Sequence, residues 1–120
     1  MTPTLKHGDV GFLNIAFVKP EEIHRFDYLV INTRNNKDLI KRVIALPGET
    51  FEYHNGDLYI NGVHIQEPFI DATNQCLNIP RKTLKENEYY CLGDNREISI
   101  DSRNYGPFTY DQILGKAYFK

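Results

Sequence analysis

The sequence predicts a mostly β chain, an antiparallel sheet domain with little helix, and three observations carry the assignment. The first is residue type: eight Tyr and seven Phe stand beside no Trp and one Met, and aromatic side chains suit a pleated, half-buried surface. The second is spacing, because short apolar runs recur between turn signals, as in all-β chains rather than βαβ units. The third is a pair of dipeptides, Asn55-Gly56 and Asn61-Gly62, which tolerate the positive φ of tight hairpin turns.

Taken in order, residues 9–12 read as a short strand and residues 28–31 as a second, closed by the polar stretch 32–38. Residues 39–46 form a third, stopped by the Pro47-Gly48 turn. Residues 50–53 and 58–60 flank the first Asn-Gly, residues 63–65 follow the second, and residues 88–92 and 116–119 complete the set. Helix signals are weak. Pro20-Glu21-Glu22-Ile23 starts one turn, since Pro suits a first helical position and acids suit a helix N-terminus. Residues 110–114, ended by Gly115, make another. Residues 71–87, with Pro80 and the basic pair Arg81-Lys82, read as a surface excursion.

A length of 120 residues predicts a single domain, residues 1–120, able to bury a core without metals or disulfides. With 41% hydrophobic and 25% charged residues the composition is that of a globular chain and not of a disordered one. Fourteen Lys and Arg against 16 Asp and Glu give a net charge of -2, which argues against nucleic acid as a partner. No apolar run approaches the roughly 18 residues that cross a bilayer; the longest, residues 11–18, is broken by Asn14. This stretch reads as a soluble domain. Cys76 and Cys91 are too few for a disulfide framework or a zinc site, and no two of His7, His24, His54 and His64 have helical ligand spacing. No metal or cofactor is expected. Cys91 reads as a small buried thiol, with a bond to Cys76 left open for a secreted domain.

Two constellations could carry chemistry. In residues 38–46, strand alternation puts Leu39, Lys41, Val43 and Ala45 on one face and Ile40, Arg42 and Ile44 on the other. Each face is apolar except for one cation. A lysine between Leu39 and Val43 is either desolvated, with a lowered pKa that fits a general base, or reaches to water from a sheet edge. Alternation leaves both open. The second constellation, residues 93–103, packs five ionisable side chains and the chain's only two serines, Ser99 and Ser102, into eleven residues. By composition alone the charged surface loop is the favoured reading.

Together these segments resemble the bacterial type I signal peptidases. Met1-Thr2-Pro3-Thr4-Leu5 with Gly8-Asp9 is similar to the segment just after that family's nucleophile, and residues 41–49 (Lys-Arg-Val-Ile-Ala-Leu-Pro-Gly-Glu) to its Lys-Arg block. Leu58-Tyr59-Ile60-Asn61-Gly62 with Glu67-Pro68-Phe69 resembles the hairpin that follows. Gly93-Asp94-Asn95-Arg96, Ser99 and Asp101-Ser102-Arg103 resemble the last block, and Gly115-Lys116-Ala117 the closing strand.

The resemblance implies a membrane-anchored serine endopeptidase with a Ser-Lys dyad, removing signal peptides from exported preproteins on the outer side of the cell membrane. It implies Lys41 as general base and Ser99 as the hydroxyl that orients its amine. Asp101 and Arg103 would form a supporting ion pair, with Asp94 and Arg42 behind them. Substrate would be held as an added strand near Met1, Leu5, Leu39 and Ile40. The compact length resembles Gram-positive members.

The departures are specific. The family's nucleophile directly precedes the methionine aligned with Met1, so residues 1–120 by themselves are expected to be inactive, and the membrane anchor is expected upstream. Phe26 stands at a usual Gly, Ala45 at a frequent Gly and Glu49 at an Asp. The alternative expectation is an inactive relative that serves as an assembly factor for surface pili.

Overall fold

A computed structural model describes residues 12–16, 18–33, 38–67, 77–94 and 101–119. Among these, ten strands and one short helix follow in order: β1 (Phe12–Ala16), β2 (Tyr28–Asn32), β3 (Asp38–Ala45), β4 (Thr50–His54), β5 (Asp57–Ile60), β6 (Val63–Ile65), β7 (Ile79–Thr83), β8 (Glu88–Leu92), α1 (Ser102–Tyr105), β9 (Phe108–Thr109) and β10 (Ile113–Phe119). Single 3-10 turns cover Pro20–Glu22 and Tyr110–Gln112. Every strand pairing is antiparallel. One sheet runs β1-β10-β2-β3-β8-β9 and the other β6-β5-β4-β7.

The turns follow from the residues that form them. Asn55 and Gly56 have φ of 51° and 86°, and Asn61 and Gly62 have 51° and 84°. Two positive φ values in a two-residue loop define the type I′ turn, whose twist matches that of the strands it joins. Both Asn-Gly hairpins therefore form where the sequence places them, with His54 opposite Asp57 and Ile60 opposite Val63.

Three expectations need correction. Residues 71–87 are not one loop, because β7 lies within them. It is an edge strand with only Ile79 buried, so it shows no apolar run, and an edge is where Pro80 is tolerated. The turn at residues 110–114 is shorter than expected, since Ile113 and Leu114 already belong to β10. The alternation in β3 also breaks. The register passes from Val43 opposite Cys91 to Ala45 opposite Tyr90, so two residues of β3 face one of β8, a β-bulge. Ala45 consequently packs with Ile44 against the second sheet, not on the face of Val43. Of the expected strand at 9–12, residues 9–11 lie outside the described residues, and β1 runs on to Ala16.

The core lies on the two faces of the first sheet. On one, Ile44, Ala45, Tyr90 and Leu92 meet Phe51, Tyr53, Leu58 and Ile60 of the second sheet. On the other, Leu29, Ile31 and Val43 pack with Tyr89, Cys91 and Phe108. Glu49 and Arg25 lock the corner at Ile44. The guanidinium donates to both carboxylate oxygens at 2.6 and 2.8 Å and to the Ile44 carbonyl at 3.2 Å.

Candidate active site

Lys41 sits in the middle of β3, in register with Leu29 of β2. Its face is that of Leu39 and Val43, which pack into the same apolar cluster. It is only 9% exposed. A lysine reaching to water from an edge would leave far more of its stem and ammonium accessible, so burial decides between the two sequence readings. Desolvation pulls the amine below the usual lysine value, Asp101 pulls it back up, Arg103 adds to the lowering and Asp94 opposes it. The result is a lowered pKa.

Asp101 and Arg103 stand beside it as a closed pair. Asp101 caps α1 by accepting the Arg103 backbone N–H at 3.0 Å, while the Arg103 side chain donates to its two oxygens at 2.9 and 2.8 Å. The Gly93 N–H adds a fourth bond at 3.0 Å. Asp101 is fully buried. Burial alone would raise its carboxyl, but the bonds from Arg103 and Gly93, with the Arg103 charge, hold it below the ordinary value. At its described ends the second constellation is buried and not solvated: Asp94, Asp101 and Ser102 each expose at most 2% of their surface.

Asp94 is held from the other face of β3. Arg42 Nε and Nη2 donate to its two oxygens at 2.9 and 2.8 Å, and the Tyr28 hydroxyl donates to Oδ2 at 2.9 Å. The Arg42 guanidinium lies 4.0 Å over the Tyr28 ring and also bonds the Tyr28 hydroxyl and, at 3.1 Å, the Phe26 carbonyl. Tyr28 is the member that sequence reasoning missed. An apolar run hides a tyrosine whose hydroxyl is its working end. Phe26 itself has φ of 74°, the left-handed region where glycine is favoured, which is why a glycine would fit that position.

Leu39 and Ile40 lie on opposite faces. Leu39 joins the cluster on the Lys41 side, and Ile40 packs with Tyr28, Val30 and Ala117. Residues 38–42 pair with β2, whereas β8 pairs with β3 only from Arg42 onward. Among the described residues, the second edge of β3 at 38–41 carries no strand. Met1, Leu5, Cys76 and Ser99 lie outside the described residues; Cys91 is a buried free thiol whose burial pushes it far above its ordinary range. Among the described residues, no three metal-ligating side chains come together.

An antiparallel β scaffold that sets a desolvated lysine beside a buried carboxylate–guanidinium pair defines a class of site that favours a neutral amine over its charged form. Comparison with known proteins narrows the class. Residues 1–120 match the family described as signal peptidase, peptidase S26. The chain is 36% identical to signal peptidase IB of Staphylococcus aureus, an alignment spanning 100% of this chain and 72% of that protein. It is 34% identical to signal peptidase I V of Bacillus subtilis, over 96% of this chain and 76% of the relative. Among solved structures, a signal peptidase I from Enterococcus faecalis superposes with a TM-score of 0.69 at 31% identity, covering 84% of this chain and 98% of that one. The chain belongs to the signal peptidase family. That relationship supports signal-peptide processing by a peptidase reaction as its class of activity.

Proposed function

We propose that this chain forms the catalytic domain, residues 1–120, of a type I signal peptidase that removes signal peptides from exported preproteins through a Ser-Lys dyad. The single observation that carries the reading is Lys41: buried in β3, bracketed by Leu39 and Val43, with a lowered pKa. An amine can take a proton from a serine hydroxyl only when it is neutral, and desolvation is the ordinary way to keep it so. The nucleophile is the serine that the resemblance puts immediately before Met1, and Ser99 is the hydroxyl that aims the amine. Asp101 and Arg103 shape the field around Lys41, while Arg42 and Asp94 brace β3 from behind. Met1, Leu5 and Leu39 supply side-chain contacts to the substrate, and Ile40 supplies backbone bonds at the strand's second edge. The domain works at the outer face of the cell membrane, held by an N-terminal anchor.

The test is cleavage of a signal-peptide substrate by a chain carrying a serine before Met1, with Lys41→Arg and Lys41→Ala beside it. Arginine stays charged and accepts no proton, so both variants lose turnover while keeping the fold. Residues 1–120 alone, without that hydroxyl, leave the substrate intact. Substantial activity in Lys41→Arg would refute the base assignment.

A further inference from the structure

We propose that Ser102 is a positioning residue: its hydroxyl completes the outer edge of β8 and thereby holds Asp101 and Arg103 against Lys41. The proposal rests on the reading of Lys41 as the base. In an antiparallel strand the backbone groups of every second residue face the same edge, and on β8 that edge belongs to residues 87, 89, 91 and 93. The Asn87 carbonyl accepts from Tyr110 N–H at 3.1 Å, and Tyr89 pairs with Phe108. There β9, only two residues long, ends.

The next two donors are met by side chains. Cys91 N–H goes to Ser102 Oγ at 2.9 Å, and Gly93 N–H to Asp101 Oδ2 at 3.0 Å. Two successive side chains thus stand in for strand carbonyls, since among the described residues no strand continues along this edge past β9. Cys91, Asp101 and Ser102 expose at most 2% of their surface, so water is no substitute acceptor, and a buried N–H without a partner is costly. Ser102 is also the first residue of α1, directly between Asp101 and Arg103. Across the sheet, Cys91 lies in register with Val43, the neighbour of Lys41 on its own face. The Ser102 hydroxyl is therefore, beside the Gly93–Asp101 bond, a tie between the strands that carry the base and the turn that carries the ion pair.

Hydrogen exchange and a side-chain NMR titration of residues 1–120 test this without any turnover. In Ser102→Ala, the Cys91 amide should exchange about tenfold faster or more, as expected when a buried donor loses its acceptor. Leu92, whose backbone faces β3, should stay protected. The Lys41 midpoint should rise by about half a pH unit or more as water reaches the loosened ion pair. Ser102→Thr keeps the hydroxyl and should restore both. Ser102→Cys, close in shape but a weak acceptor, should behave like alanine and serves if the alanine variant does not fold. Folded Ala or Cys variants with an unchanged Cys91 exchange rate and Lys41 midpoint would overturn the proposal. So would a folded Thr variant that restores neither. Failure of the base assignment appears elsewhere, in the cleavage assay of the Lys41 variants, and leaves both readouts as predicted.

Discussion

Arg42 grips Asp94 at two points, Nε to Oδ1 at 2.9 Å and Nη2 to Oδ2 at 2.8 Å, on the face of β3 opposite Lys41. The Asp94 side chain is fully buried and that of Arg42 is 11% exposed, so the pair is not a solvent-screened surface bridge. Two-point geometry is specific to guanidinium, and an ammonium reproduces one of the contacts at most. Arg42→Lys should cost about 1–3 kcal/mol, the scale of a buried charged group losing a bond. Urea unfolding checks this; a midpoint equal to that of the unaltered chain would show that the grip contributes nothing.

Asp101 sets an acid limit on the fold. Its carboxyl is held below the ordinary value in the folded chain, chiefly by Arg103 and Gly93 working against burial. A depressed acid contributes stability that is complete above its unfolded value, about 4, and is lost as pH falls through the lower folded value. Glu49, clamped by Arg25, is shifted in the same direction. Asp101→Asn should lower stability at neutral pH and flatten its decline between about pH 5 and 2. An unchanged acid limb in urea midpoints would place the pH dependence elsewhere.

Lys41 works in the opposite sense. Burial lowers its pKa, so folding disfavours the proton it carries when unfolded, and stability from this group rises with pH until the unfolded lysine titrates near about 10.4. Lys41→Met fills the same space without a charge to desolvate. It should stabilise the chain by about 1 kcal/mol at neutral pH, the scale gained when a functional compromise is removed. The gain should shrink toward pH 10. A methionine variant less stable at pH 7 would mean that the partners of Lys41 repay its burial in full.

Much of this architecture was legible in the sequence, and the exceptions have physical causes. The two Asn-Gly turns were readable because only a few residues tolerate two successive positive φ values. Lys41 was readable as one cation on an apolar face. The bulge at Val43 to Ala45 was not, since an inserted residue leaves no mark on a run where both faces are apolar. β7 escaped because an edge strand with one buried residue shows no alternation. The burial of Asp94, Asp101 and Ser102 was hidden as well: Asp94 is closed in by Arg42 and Tyr28 from distant strands, and a sequence does not show that β8 lies against Asp101 and Ser102.

Phe26 gives an inverted stability order. Its φ of 74° is strained for any residue with a Cβ, while its ring packs against the cluster between the sheets. Phe26→Ala loses the packing and keeps the strain. Phe26→Gly loses the same packing and relieves the strain. Glycine should therefore be the more stable of the two by about 1 kcal/mol, whereas at a position with ordinary negative φ alanine exceeds glycine. Thermal unfolding of the pair checks it, and alanine above glycine would mean that the backbone here is not strained.

The second edge of β3 yields the test of substrate docking. Val43 N–H donates to the Asp27 carbonyl at 2.8 Å, and the Val43 carbonyl accepts from Phe26 N–H at 2.7 Å, so its backbone faces β2. By the period of two, Leu39 and Lys41 face β2 as well, and Asp38 and Ile40 face away from it. At Arg42 that outward side is taken by Leu92 of β8, but among the described residues no strand continues along it toward Asp38. An extended peptide joining there would bond to Ile40 and run past the Lys41 amine. Ile40→Pro removes the outward N–H without taking a bond from β2, and Pro is tolerated at such an edge. In a chain carrying the nucleophile, the variant should raise KM about fivefold, as for one lost hydrogen bond of about 1 kcal/mol, with the pH profile unmoved. Ile40→Val should behave as the unaltered chain. If proline left KM unchanged in a folded protein, the substrate would have to lie elsewhere than along this edge, since a peptide paired with β3 has no other donor at that position.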